Sequence, residues 1–365
     1  MIRAVIVDDE APARDRLRQM LAPDAVRVVG EAADGPEAVA RIDELQPDVV
    51  FLDIQMPALT GLEVASRLHA PRPRIVFCTA YDHFAIEAFE LHAVDYLLKP
   101  VNRDRLARTV GRIRTEIDEQ RRLTRERTDA ARTQRRLMPG DLEAAGLICA
   151  GTCEPADGVG GDYYDFLPLP GDRLAIALGD VSGKGMYAGL LAAALQARLQ
   201  AILVQLPQSP AAVVRELNRL TLGTIEGNRF ATLFFGVFDR STATLTYVNA
   251  GHPPAVVVSP DGAVQLLHAT SPAVGLLGDG DFQESAVRLS DGDLFATFSD
   301  GLTEAESPAG EPFGVDGVTR TIREQRPRDP RAVVDATLAE VRRFTGHTAP
   351  SDDQTLAAAM LEAAR

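Results

Sequence analysis

The 365-residue sequence predicts two domains of different class: an α/β, doubly wound domain first, and an α+β domain of helix-covered sheets second, joined by a helical linker. Three observations predict this. Over the first hundred residues, short apolar runs alternate with amphipathic stretches. An Arg-rich segment with sparse apolar residues follows, and beyond it the chain becomes strand-rich and turn-rich with two long helical patterns.

In the first region the apolar runs are 4–7, 26–30, 49–52, 75–78 and 94–98, with helical patterns such as 11–21 between them. Five βα units in such a length require a parallel sheet wound on both faces, because each parallel connection needs a crossover. From 103 to 136 the chain carries twelve Arg against six acids, with Leu106, Val110, Ile113 and Ile117 at four-three-four spacing. That spacing predicts a helix and, as a candidate, a two-stranded coiled coil, although the seam decays into Gln120, Thr124 and Arg127. After Met138-Pro139, turns at 170–172, 239–242, 260–262 and 279–281 punctuate strands. Helical patterns cover 186–206, 211–225 and 331–345.

A formal net charge of -14 argues against a nucleic-acid scaffold, because phosphate binding needs clustered Lys and Arg. Cys78, Cys149 and Cys153 are too few for a disulfide framework and lack the ligand pairs of a structural zinc site, so they are expected as buried thiols. The N-terminus runs from a short strand straight into Asp8-Asp9-Glu10, and no apolar run is expected to span a bilayer. A cytoplasmic protein is the expectation.

Ligands of an open parallel sheet bind beyond the carboxyl ends of its strands. Asp8 and Asp9 end the first strand, Asp53 the third, Thr79 the fourth and Lys99 the fifth. Clustered carboxylates repel unless a hard cation sits among them. With a hydroxyl and an ammonium added, the set suits phosphoryl transfer to a carboxylate. Pro100 directly after Lys99 is a candidate cis bond. The segments VIVDDE, FLDIQMPALTGLE, FCTA and VDYLLKP resemble the receiver domain of bacterial response regulators over residues 1–118. That resemblance implies Asp53 as phosphoacceptor, a Mg²⁺ held by Asp8, Asp9, Asp53 and the Gln55 carbonyl, a switch pair of Thr79 and Tyr96, and Lys99 on the phosphoryl oxygens. It also implies a sensor histidine kinase as partner. The run 80–101 is similar to receivers that usually precede a LytTR DNA-binding domain.

The second half repeats Asp beside Gly at the ends of apolar strands: Gly161-Asp162, Gly179-Asp180, Ser299-Asp300-Gly301 and Ser351-Asp352-Asp353. One such pair reads as a turn. Four distant ones suit a shared two-metal cluster. These segments, with RRLMPGDL, EPADGVGGDYYDF, FATLFFGVFD, YVNAGHPPAVV and FSDGLTEAES, resemble the SpoIIE/RsbU branch of the PPM-type serine/threonine phosphatases from 138 to 365. The linker then occupies 103–137. The resemblance implies a central β-sandwich flanked by helices and two Mn²⁺ or Mg²⁺. Asp180 bridges them with the Val181 carbonyl, Asp300 and Asp352 or Asp353 hold one, and Asp162 holds the other.

Asp180 and Asp300 carry the catalytic role in that scheme. His252 reads either as a general acid or as a turn residue, and Lys184 as a solvated residue or a phosphate contact. Cys153 and Gln354 depart from the branch pattern, and no counterpart of the phosphate-binding Arg of eukaryotic relatives is found. The implied substrate is a phosphorylated STAS-type anti-sigma-factor antagonist, the implied assembly a homodimer through the linker, with no nucleic acid and no membrane insertion.

Three rivals are weighed. A diguanylate cyclase is suggested by Gly160-Gly161-Asp162, but Tyr163-Tyr164 breaks its signature. A DNA-binding regulator would need a basic module after 137. A non-catalytic adaptor on the same fold is the third. Coupling is expected to run from Asp53 through Thr79, Tyr96 and the fourth and fifth receiver helices into the linker, and then to the segment before Gly160 and the helix after Gly185.

Overall fold

The computed structural model describes residues 1–21, 26–69, 72–81, 84, 87, 91, 93–205, 209–224, 229–278, 280–325 and 329–362. It divides into two compact units, Met1–Arg125 and Glu126–Arg365.

In the first unit, β1 (Ile2–Val7), β2 (Val26–Ala32), β3 (Val49–Leu52), β4 (Arg74–Thr79) and β5 (Asp95–Leu98) form one parallel sheet in the order β2-β1-β3-β4-β5. Helices α1 (Ala11–Leu21), α2 (Gly35–Leu45) and α3 (Gly61–Arg67) follow the first three strands. Val5, Val7, Val50, Leu52 and Phe77 face one core, while Ile6, Val49, Phe51, Val76 and Leu97 face the other. Burial on both faces is why these strands read as unbroken apolar runs. The helix starts are locally encoded: Asp34 caps α2, and Thr60 with Glu63 forms a capping box on α3. The segment expected to hold a fourth receiver helix, 81–93, lies mostly outside the described residues.

Helix α4 (Arg103–Arg135) is continuous over the linker. Leu106, Ile113 and Ile117 are buried in the receiver core rather than left along a seam. The four-three-four pattern therefore covers the sheet of its own domain, which corrects the reading of those residues as a coiled-coil interface. Asp95 ties the helix down, accepting from Thr109 Oγ1 at 2.5 Å and pairing with Arg105 at 2.7 Å.

The second unit holds β6 (Leu142–Ala144), β7 (Leu147–Glu154), β8 (Asp162–Leu169), β9 (Arg173–Val181), β10 (Ala231–Asp239), β11 (Thr244–Ala250), β12 (Ala255–Val258), β13 (Val264–Leu267), β14 (Ser285–Arg288), β15 (Leu294–Phe298) and β16 (Gln354–Leu361). They make two antiparallel sheets, β14-β11-β10-β9-β8 and β13-β12-β15-β16-β7-β6. Phe234, Phe238, Tyr164 and Leu178 of one sheet interlock with Cys149, Val257, Phe295 and Ala357 of the other.

Helices α5 (Gly185–Gln205) and α6 (Pro210–Leu222) cover the first sheet. The short α7 (Asp300–Thr303), with α8 (Gly314–Glu324) and α9 (Pro330–Phe344), covers the second. The expected helix-flanked β-sandwich is present. Helix α8 escaped the sequence reading. Helix α5 is long and apolar enough to cross a bilayer, contrary to the expectation that no segment is, and half of it is buried in the domain core.

Candidate functional site

The first cluster sits where three parallel strands end. Asp8 and Asp53 are buried and Asp9 is exposed, and one oxygen from each falls within 4.8 Å of the others. Among the described residues this is the only trio of potential metal ligands drawn so close. Lys99 Nζ lies 2.5 Å from Asp53 Oδ2 and 2.7 Å from Asp8 Oδ2, and the Lys99–Pro100 bond is cis. Burial pushes the Asp53 carboxyl up, and Lys99 partly offsets it. Burial alone would lower Lys99, but the two carboxylates outweigh it and hold the ammonium charged.

Thr79 is fully buried, its hydroxyl without a partner among the described residues, and the Tyr96 hydroxyl donates to the Tyr81 carbonyl. The Gln55 N–H donates to Asp53 Oδ1 at 3.4 Å. Gly61 is required beside this site, because a Cβ would lie 2.1 Å from the Asp53 carbonyl.

The second cluster forms at one end of the sandwich. Asp162 opens β8 and pairs across the ladder with Asp180, near the end of β9. Asp300 starts α7 directly after β15, and Asp352 and Asp353 precede β16. Asp162 is buried, and its Oδ2 has no hydrogen-bond partner among the described residues. Its carboxyl is pushed well up by burial and then by Asp180. Asp180 is raised by burial and by Asp300, Asp352 and Asp353, and Asp300 by burial, Glu304 and Asp352. Such mutual repulsion is what divalent cations relieve. An orphaned buried carboxylate oxygen and an all-oxygen donor set from several segments fit Mg²⁺ or Mn²⁺.

The neighbouring residues divide the labour. Asp353 is engaged by the backbone, accepting from Ala156 N at 2.8 Å and Gly161 N at 2.6 Å, whereas Asp352 faces Lys184 Nζ at 3.1 Å. Gly301 permits the close passage of two segments, since a Cβ there would meet the Asp353 carbonyl at 2.1 Å. Val181 N donates to the Gly161 carbonyl at 3.2 Å, joining the two acidic loops. A groove of about 660 Å³ opens beside Asp352, lined in part by Lys184, Glu304, Glu306, Thr345 and Ser351. His252 is buried, burial pushes its ring down to a pKa of about 3, and it does not line the groove. Cys78 and Cys149 are buried as expected, and Cys153 is partly exposed.

Sequence reading missed Gln134. Near the end of α4 and buried, it donates from Nε2 to the Gly160 carbonyl at 2.7 Å and accepts from Gly160 N at 3.0 Å. The two-point clamp holds the residue pair ahead of Asp162. A second tie runs from the Leu137 carbonyl to Gln196 Nε2 of α5 at 2.9 Å, and Gln196 also donates to Asp165 at 3.2 Å. A Gln in an Arg-rich helix offers no local signal of such a role.

Residues 4–111 match the response regulator receiver domain family, and residues 170–362, more than half the chain, match the stage II sporulation protein E family. Among curated proteins, an uncharacterized response regulatory protein of Yersinia pestis is 53% identical over 119 residues, covering 32% of this chain and 50% of that protein. The transcriptional regulatory protein BtsR of Salmonella typhi is 51% identical over 122 residues, covering 33% and 51%. The chain thus spans about half the length of the curated relatives it matches.

Among solved structures, the SiaA-PP2C domain of Pseudomonas aeruginosa aligns with TM-score 0.58 at 21% identity, covering 68% of this chain and 98% of that one. The RsbU and RsbW domains of Rv1364c from Mycobacterium tuberculosis align at 0.54 and 26%, covering 61% and 62%. The PP2C phosphatase domain and regulatory fragment of SpoIIE from Bacillus subtilis align at 0.54 and 21%, covering 60% and 64%. With this fold, these acids and the family match in agreement, the chain belongs to the stage II sporulation protein E family, and it carries a response regulator receiver domain ahead of that region.

Proposed function

We propose that the protein is a two-component response regulator in which phosphorylation of Asp53 by a sensor histidine kinase controls a metal-dependent protein serine/threonine phosphatase. The observation that carries this reading is the second acid cluster: Asp162, Asp180 and Asp300 are all pushed toward protonation, and the buried Asp162 oxygen has no partner among the described residues. Such a cluster is built for cations. Asp162, Asp180 with the Val181 carbonyl, Asp300 and Asp352 would hold two Mn²⁺ or Mg²⁺. The Asp353 carboxylate, spent on Ala156 and Gly161, shapes the loop instead. When bound, the cations would supply a nucleophile at neutral pH and offset the charge of an in-line phosphoryl displacement. The groove beside Asp352 admits a phosphoseryl or phosphothreonyl segment, with Lys184 at its mouth.

In the receiver, Asp8, Asp9 and the Gln55 carbonyl hold Mg²⁺ with Asp53, Lys99 steadies the phosphoryl oxygens, and Thr79 and Tyr96 report its arrival. The signal passes along α4 to Gln134, whose clamp on Gly160 adjoins Asp162. The substrate is a phosphorylated STAS-type anti-sigma-factor antagonist, by likeness to RsbU and SpoIIE, and phosphorylation raises activity. Phosphate release from candidate phospho-antagonists, with and without a phosphodonor, tests this against Asp180→Ala and Asp53→Ala. No turnover with Mn²⁺, together with tight partner binding, would establish the adaptor instead.

A further inference from the structure

The NAGHPP turn is held by several hydrogen bonds, and the proposed chemistry does not use it. Asn249 accepts from His252 N at 2.9 Å and donates to the carbonyls of Pro253 at 3.2 Å and Leu267 at 3.3 Å. Gly251 has φ 67° and packs against Ala273, so no other residue fits that corner without strain. The product of this turn is one buried imidazole, 3% exposed, whose Nδ1 lies 2.8 Å from Thr232 Oγ1.

Thr232 is the cross-strand partner of Asp180, and Asp180 is the cross-strand partner of Asp162. Residues directly opposite in a ladder share a face. Asp162, Asp180 and Thr232 therefore form one row across β8, β9 and β10, and His252 extends it. On its other side the ring faces the Phe298 carbonyl without completing a hydrogen bond, and Nε2 has no partner among the described residues. Phe298 ends β15 in the opposite sheet, two residues before Asp300. The imidazole stands between the strand beside Asp180 and the strand that delivers Asp300.

We propose that His252 is a positioning residue, a neutral strut between the two sheets that sets the separation of Asp180 and Asp300 for a shared divalent cation. Its orphaned Nε2–H completes a bond to the Phe298 carbonyl when the two carboxylates draw together. Burial favours the neutral ring, which can accept from Thr232 at one nitrogen and donate at the other. The proposal rests on the reading of Asp180 and Asp300 as ligands of one cation.

The experiment is Mn²⁺ calorimetry on the full chain in an Asp9→Ala/Asp53→Ala background, which removes the receiver's acid trio. Asp180→Ala should abolish binding, and unchanged binding in that variant would overturn the ligand reading itself. His252→Ala and Thr232→Val should each weaken binding about tenfold, as loss of an outer-shell partner does. Together they should cost no more than either alone, and His252→Asn should recover most of the loss. Full affinity in both single variants, or additive losses in the pair, would overturn the strut while leaving the ligand reading intact. Thr232→Val preserves shape and carries the test should His252→Ala fail to fold. In the unsubstituted ring, the ¹⁵N resonance of Nε2 should move on adding Mg²⁺, and a fixed resonance would count against the proposal.

Discussion

The two acid clusters of this molecule are neutralised differently. In the receiver, Lys99 reaches both Asp53 and Asp8, and three carboxylates tolerate a spacing under 4.8 Å. In the sandwich, no described trio of acids comes so close, and the nearest ammonium, Lys184, sits on the rim against Asp352 with 58% of its side chain exposed. The first site holds its own counter-charge in Lys99. Burial pushes Asp53 up as it does Asp162, Asp180 and Asp300, but the sandwich acids are raised further by their acidic neighbours with no buried ammonium beside them among the described residues.

The largest expected effect breaks the second site alone. Outer-shell losses cost about 10–100-fold in metal affinity or activity, so removing a direct ligand with Asp180→Ala should cost more than about 100-fold in phosphate release. Receiver phosphorylation, followed with a small phosphodonor, should be untouched. Asp53→Ala should do the converse, abolishing the response to phosphodonor while basal hydrolysis continues. A change in basal rate equal to that of Asp180→Ala would show that the sites are not separable.

Between these extremes lies the connection. Gln134→Ala removes both hydrogen bonds to Gly160, and Gln134→Glu keeps the acceptor but loses the donor. Each should shift phosphodonor-dependent activation by about 0.5–2 kcal/mol, read as the ratio of stimulated to basal rates. An unchanged ratio in both variants would remove Gln134 from the coupling.

The pH dependence sharpens the contrast. Asp162, Asp180 and Asp300 have folded pKa values above their unfolded ones, so the folded state binds protons more tightly. Their contribution to stability is present below the ordinary aspartate value near 4 and is lost as pH rises through the raised values. The phosphatase unit in EDTA should therefore unfold at lower temperature as pH climbs above about 4, and Mn²⁺ should flatten that slope. A slope of the same size in both conditions would argue that these acids share no cation. The smallest effect belongs to Lys184→Ala, which removes an exposed ion pair and should alter stability by less than about 1 kcal/mol in chemical denaturation.

Much of the receiver was legible in advance. A parallel, doubly wound sheet brings every strand's carboxyl end to one edge, so strand-terminal Asp8, Asp9, Asp53, Thr79 and Lys99 converge by topology alone. Their apolar strands and capped helices are local features. The acids of the second half were legible as strand-end residues, because Asp-Gly after an apolar run is also a local signal.

Tertiary structure decided which partners each residue meets there. Asp352 and Asp353 are neighbours with identical chemistry, and the distant backbone amides of Ala156 and Gly161 engage Asp353 rather than Asp352. The spacing of Leu106, Ile113 and Ile117 is equally compatible with a partner helix and with the receiver sheet, and burial chose the sheet. The same holds for Gln134, Thr232 and His252, whose partners come from other elements of the fold. Periodicity and turn chemistry act over a few residues, so the sequence by itself determined the elements and the acids at their ends. Which side chain faces a cation, a backbone amide or a neighbouring strand depends on contacts between distant segments, and those arise only when the sheets are packed.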